Sequence, residues 1–294
     1  MPTEMYQAVL ASLDWQLTLP EDDFETAKGK MEALHGHPID SSTKASWLEY
    51  GGISCAVVSV EGICKPEQYL LYFRGGAFIA AGGSGFLFYA EMLSRYFQCT
   101  VVMADYRMVP NAQFPGPLDD CCNAYLGMLD SGISPAFISF IGDSCGGGLV
   151  LTTLLKLRDN FKSMPACGIS LCGWFDLATD DEARDPLYYQ AYTHKRGLDY
   201  AGNEPLNNPL ISPIFANFRG IPPLLLQAGS IDPTSKGAKI IYEKAIAVGI
   251  NIELDITPEM IHGFHGLSNL GVEEAQQALI RAADFMDKHC SNHM

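Results

Sequence analysis

The chain has 294 residues, a formal net charge of −15 and a pI near 4.7, with 48% hydrophobic residues. That apolar content suits a large buried core, and the acidity, with no basic stripe to offset it, excludes a nucleic-acid backbone as partner. Nine cysteines (Cys55, Cys64, Cys99, Cys121, Cys122, Cys145, Cys167, Cys172 and Cys290) form no CxxC pair or metal-ligand spacing and read as free thiols, several of them inside apolar runs, in a reducing compartment.

Along the chain, residues 1–45 read as an N-terminal cap segment, helical and irregular, with a break at His35–Pro38. It carries no basic-then-apolar leader, and no stretch of the chain approaches a membrane span, so a cytoplasmic location is expected. His35 and His37 are metal ligands by residue type, but no carboxylate or cysteine pattern accompanies them, so a loop role is preferred. From Ile53 onward, short apolar runs alternate with amphipathic ones. Strands are predicted at Ile53–Val60, Tyr69–Phe73, Thr100–Asp105, Phe137–Gly142, Gly168–Leu171, Pro223–Ala228 and Asn251–Ile256. Helices are predicted at Phe86–Phe97, Leu118–Met128, Gly146–Arg158, Ser235–Ala247 and Glu273–Lys288. This alternation is the signature of an α/β fold with a mostly parallel sheet flanked by helices. Residues 46–294 would form that one domain, interrupted at about 178–218 by a polar, aromatic-rich insertion. The insertion is too long for a bare loop and is read as a cap of short helices.

Gly142-Asp143-Ser144-Cys145-Gly146 is the one GxSxG in the chain. An apolar strand precedes it and a helical run follows, the context in which a serine is held on a sharp strand-to-helix turn and the glycines avoid clashes. Upstream, Arg74-Gly75-Gly76-Ala77-Phe78 follows directly on a strand. Small residues there let backbone amides approach a developing oxyanion, with Gly75, Gly76, Ala77 and Cys145 as the candidate hole and the amides of Gly76, Ala77 and Cys145 as donors.

These motifs, with Asp105-Tyr106-Arg107, Phe114-Pro115, Asp119-Asp120, Pro209 and Ser212-Pro213, resemble the hormone-sensitive-lipase-like branch of the α/β-hydrolases, bacterial esterase family IV. The resemblance covers about Tyr69 to Phe264. It implies an α/β-hydrolase fold with a helical cap, a serine esterase activity without cofactor or metal, and pairing of two copies through an edge strand. Two departures stand out. The family's HGGG is Arg74-Gly75-Gly76-Ala77 here, and the alanine of GDSAGG is Cys145. Arg74 would either brace the loop through other hydrogen bonds or meet a substrate carboxylate.

In this fold the acid and then the histidine follow the serine. Asp232, in Gly229-Ser230-Ile231-Asp232-Pro233 after a strand, is the expected acid, ahead of the mid-strand Asp255. His262, in Met260-Ile261-His262-Gly263-Phe264 after the last strand, is the expected base, ahead of His265, which is read as structural. Arg74, Phe78, Asp143 and Tyr188 are the substrate-pocket candidates. Tyr189, Tyr192 and Tyr200, and Phe86, Phe88 and Tyr89, suit a pocket wall or ordinary packing equally well. The expected reaction is hydrolysis of short- to medium-chain acyl esters or a lactone through an acyl-serine. An amidase, deacetylase or aryl-formamidase would use the same triad, and a non-catalytic binding protein is the alternative of a different class. The lack of a long apolar surface helix argues against an interfacial lipase.

Overall fold

The computed structural model describes residues 2–12, 22–80, 83–178 and 190–290. Eight strands form one sheet: β1 (Lys44–Tyr50), β2 (Ile53–Ser59), β3 (Lys65–Phe73), β4 (Cys99–Ala104), β5 (Ile138–Asp143), β6 (Gly168–Leu171), β7 (Leu224–Gly229) and β8 (Ile252–Thr257), in the order β1-β2-β4-β3-β5-β6-β7-β8. β1 and β2 pair antiparallel, as do β2 and β4; every other neighbouring pair is parallel. Among the described residues the helices are α1 (Glu4–Ser12), α2 (Phe24–His35), α3 (Leu87–Phe97), α4 (Gly116–Asp130), α5 (Cys145–Asp159), α6 (Gln190–Ala201), α7 (Ser235–Ala247) and α8 (Glu273–His289).

Side chains alternate across each strand, and the two faces have separate cores. On one face Leu71, Phe73, Ile138 and Phe140 pack with residues of α4, α5 and α7. On the other, Leu70, Tyr72 and Ile141 pack with residues of α3 and α8. β5 is buried at every position, as a strand covered on both faces must be, and that is why its sequence is a continuous apolar run with no alternation.

The seven predicted strands and five predicted helices are present, with ends moved by a residue or two except in β3, which begins at Lys65, four residues ahead of the expected Tyr69. β1 was not anticipated. It is a fully exposed edge strand except at Tyr50, so nothing in its composition marks a core. Its signal was the Gly51-Gly52 turn, where both glycines have positive φ and which folds the chain back onto β2. Within the insertion, α6 and a 3-10 turn at Pro213–Phe215 are helical. No described helix is long and apolar enough to cross a membrane.

The chain leaves β3 for β4 on one side and returns to β5 on the other. This crossover opens a crevice at the carboxyl ends of β3 and β5, where ligands of open α/β sheets bind. Phe140, fully buried, holds the middle of that crossover, edge-on to Phe73 at 5.3 Å and to Tyr125 at 4.9 Å. Phe140→Ala should cost about 3–5 kcal/mol, read as a lowered denaturant midpoint with the slope unchanged.

Candidate active site

Ser144 stands between β5 and α5 with φ 52° and ψ −121°, a left-handed conformation that costs a non-glycine residue roughly 1–3 kcal/mol. Its backbone is pinned on both sides: its N–H donates to Leu171 O at 2.9 Å, and its carbonyl accepts from Trp174 N at 2.9 Å. The flanking glycines are required by space. A Cβ on Gly142 would strike the Gly146 carbonyl, and one on Gly146 the Phe73 carbonyl.

His262 follows β8 and is steadied from below by α1, whose Tyr6 and Val9 pack with Met260, Ile261 and Phe264. Its Nε2 lies 2.9 Å from Ser144 Oγ, and its Nδ1 lies 3.1 Å from Asp232 Oδ1. Asp232, after β7, is 1% exposed and also accepts from Thr234 N at 2.8 Å. Burial pushes its carboxyl up, but the charge and hydrogen bond of His262 and the Thr234 amide more than offset this, leaving it below the ordinary aspartate value. An ionised carboxylate can only accept. Nδ1 therefore carries the hydrogen, and Nε2 turns its lone pair to the serine hydroxyl. The rivals are elsewhere. Asp255 pairs with Arg281 at 2.9 Å. His265 is fully buried, bonded to Gln227 at 3.1 Å and pushed by desolvation down to about 3, so it is a neutral structural residue.

The oxyanion loop after β3 is strained as well. Gly76, Ala77 and Phe78 have φ of 107°, 51° and 61°. The amides of Gly76 and Ala77 donate to no backbone carbonyl of the described residues, and Cys145 is the first residue of α5, where a helix leaves its N–H groups unused. Gly75 corrects the expectation. Its N–H is taken by Asp143 Oδ1 at 2.9 Å, the same oxygen that accepts from Tyr72 OH at 2.7 Å. Gly75 thus fastens the loop and donates nothing to a ligand. The Cys145 thiol lies in the core, where burial raises it to about 11, leaving only its amide for the hole.

Arg74 is a second correction. It is 1% exposed and does not reach the cavity. Its guanidinium donates to Ala80 O at 3.0 Å, Tyr106 O at 3.2 Å and Met108 Sδ at 2.9 Å, with its carbon 5.3 Å and 4.9 Å from the ring centroids of Phe86 and Tyr106. Bracing, not substrate contact, is its geometry. Phe78 is the third. It is buried, stacked on Tyr200 at 3.7 Å and does not line the cavity. Asp143 does line it. Tyr188 and Tyr189 lie outside the described residues.

The cavity over Ser144 and His262 has a volume of about 870 Å³. Much of its wall is apolar, from Met31, Ile39, Phe88, Met92, Leu267 and Leu270, with Asp40, Glu91 and Arg95 also at its surface. His37 belongs to this wall, 5.2 Å from Phe88. Sequence reasoning left Phe88 and Tyr89 undecided and did not name Met31, Ile39, Met92, Leu267 or Leu270. Their contribution depends on how α2 and the loop after it fold over α3, which periodicity does not reveal. The nine cysteines are all unpaired, and eight are buried.

Known proteins share this fold. The α/β hydrolase fold family matches residues 70–266. An acetyl-hydrolase of Streptomyces hygroscopicus is 31% identical over 72% of this chain and 73% of its own. A solved esterase of the bacterial hormone-sensitive lipase family is 26% identical, with a TM-score of 0.91 over 99% of this chain and 100% of its own. EstE5, whose crystal was soaked with p-nitrophenyl butyrate, is also 26% identical, with a TM-score of 0.91 and coverage of 99% and 100%.

Lysine keeps the charge of Arg74 but not the planar fork that reaches several acceptors and stacks between rings. Arg74→Lys should therefore lower kcat roughly tenfold to a hundredfold with KM little changed, because the loop that presents the amides loosens. Steady-state kinetics on one ester, beside a melting curve, checks this.

Proposed function

Since the chain belongs to the α/β hydrolase fold family, in its hormone-sensitive-lipase-like branch, we propose that Ser144, His262 and Asp232 are its catalytic triad and that its substrates are short- to medium-chain acyl esters. The protein is a serine hydrolase of carboxylic esters. The observation that carries the assignment is the continuous hydrogen-bonded line from Ser144 Oγ through His262 to buried Asp232, opening into a largely apolar cavity.

The steps follow from the geometry. His262 Nε2 takes the hydroxyl proton as Ser144 Oγ bonds to the acyl carbon, and the carbonyl oxygen becomes an oxyanion among the amides of Gly76, Ala77 and Cys145. Asp232 stabilises the imidazolium. The imidazolium gives its proton to the departing alkoxide, the C–O bond breaks, and an acyl-serine remains. Water, deprotonated by His262, attacks that acyl carbon. Collapse returns the proton to Ser144 and releases the acid.

The apolar wall supports an acyl chain, and a cavity of this size suits a small ligand. The acetyl-hydrolase name of one relative and the butyrate ester soaked into another structure point to the same range.

Rates on p-nitrophenyl esters from C2 to C12 should peak at the short to middle lengths. Ser144→Ala should lose about 10⁵-fold or more in kcat; a variant that keeps wild-type activity refutes Ser144 as nucleophile, and preference for a matched anilide over the ester refutes the ester reading. Because His262 acts as base only when neutral, kcat/KM should fall as pH drops through the imidazole range of about 6–7. Asp232, held below the ordinary aspartate value, stays ionised through that window, so a pH–rate profile should show one acid limb and a neutral-to-alkaline plateau.

A further inference from the structure

The carboxylate of Asp232 is only half used. Both His262 and Thr234 bond to Oδ1, while Oδ2, on a side chain with no exposed surface, finds no hydrogen-bond partner of ordinary geometry among the described residues. A buried, charged oxygen left without a donor is costly. Beside it stands Cys172, the residue directly after β6, a fully buried thiol for which the steps above have no use. Its sulfur, a carboxylate oxygen of Asp232 and a ring nitrogen of His262 lie within 4.8 Å of one another. Cys172 is held there in a left-handed conformation, φ 50°, its N–H bonded to Gln227 O at 2.7 Å.

We propose that Cys172 is a positioning residue of the triad, its thiol donating to Asp232 Oδ2 and so fixing the carboxylate that orients His262. The proposal rests on the triad reading above. An inventory of protons on the far side supports it. Gln227 Nε2 donates to Asp255 Oδ2 and to Ala278 O, each at 2.8 Å, so Gln227 Oε1 is the atom facing His265 Nε2 at 3.1 Å. His265 Nε2 therefore carries that ring's hydrogen, and its bare Nδ1 faces Cys172 Sγ at 3.8 Å. The imidazole brings no proton to the sulfur, which must supply its own. Of the two acceptors beside it, the charged carboxylate makes the stronger bond. Burial and the nearby Asp232 charge hold the Cys172 thiol well above the ordinary cysteine value, so it stays protonated. The bond to Cys172 in turn helps lower Asp232.

The ionisable groups around this cluster are Asp143 at the end of β5, Tyr89 of α3, His265, and, beyond Gln227, Asp255 of β8 and Arg281 of α8. All are unchanged in the variants below. Withdrawing the thiol leaves more of the Asp232 charge facing His262, which favours the imidazolium. The acid limb of kcat/KM should then move to higher pH.

The test is the pH–rate profile of wild type, Cys172→Ala and Cys172→Ser on one p-nitrophenyl ester, each with its melting temperature. The alanine variant should lose about tenfold in plateau kcat/KM and shift its acid limb upward by about half a pH unit, while the serine variant, which keeps a donor, stays at the wild-type limb. An alanine profile that superimposes on wild type overturns the proposal, and so does a serine variant displaced as far as alanine. Should the alanine variant not fold, the infrared S–H stretch decides. The band lost in Cys172→Ser should lie below the free-thiol position in wild type and move up when Asp232→Asn removes the charge; a band that does not move overturns it. A wild type with no acid limb at all would instead count against His262 as base, so the two failures are distinguishable.

Discussion

The strained turn at Ser144 is the constraint on which the rest of the site depends. A serine at positive φ would relax if its neighbours allowed it, and the fold denies it the room. Its N–H and carbonyl are bonded to the end of β6 and a residue after it, and the glycines at 142 and 146 let the turn close against the Phe73 carbonyl at the end of β3 and the Gly146 carbonyl in the first turn of α5. The same closeness brings Gly76 and Ala77 opposite the first amide of α5. Nucleophile and oxyanion donors therefore share one backbone junction, and the parallel sheet, covered on both faces, supplies its stiffness.

Buried charge does the fastening. Asp143 ties Tyr72 and Gly75 together, Arg74 ties the oxyanion loop to the segment after β4, and Asp232 ties the His262 loop to the end of β7. Such groups are poor sources of stability, because desolvation consumes most of what pairing returns. What they contribute is direction: each makes its hydrogen bonds in one arrangement of the loops and loses them in others. The exchange of the family's histidine for Arg74 fits this view. A long side chain with several donors performs the bracing from within the core, between two aromatic rings, and its charge never meets the ligand.

Much of this was legible in the sequence, and the limits were physical. Phe137–Ile141 announced a doubly covered strand, and Ser144, Asp232 and His262 were placed by their positions after strands, because strand ends converge wherever a parallel sheet forms. The edge strand Lys44–Tyr50 was hidden because its side chains face solvent and carry no burial pattern. The roles of Gly75 and Phe78 were misread, and that of Arg74 was left between bracing and substrate contact, for another reason. Sequence places them next to the oxyanion hole, but only tertiary packing decides that the Gly75 amide turns to Asp143 and the side chains of Arg74 and Phe78 turn into the core. The cavity wall was the least legible part, since Met31, Ile39, Met92 and Leu270 come together from three distant segments.

That uneven legibility reflects how the work is divided. The reacting groups sit where a sheet's topology puts them, so a short motif in the right order suffices to find them. The wall is set by α2 and the loop after it, by α3 and by the turn after His262, which share no motif and answer only to shape. Substitutions in those segments can reshape the acyl site without disturbing the strain at Ser144 or the charges beneath it. Substitutions under the sheet ends act on every substrate alike. Chemistry and selectivity are thus separable in this molecule, joined where Ser144 and His262 belong to both the triad and the cavity wall.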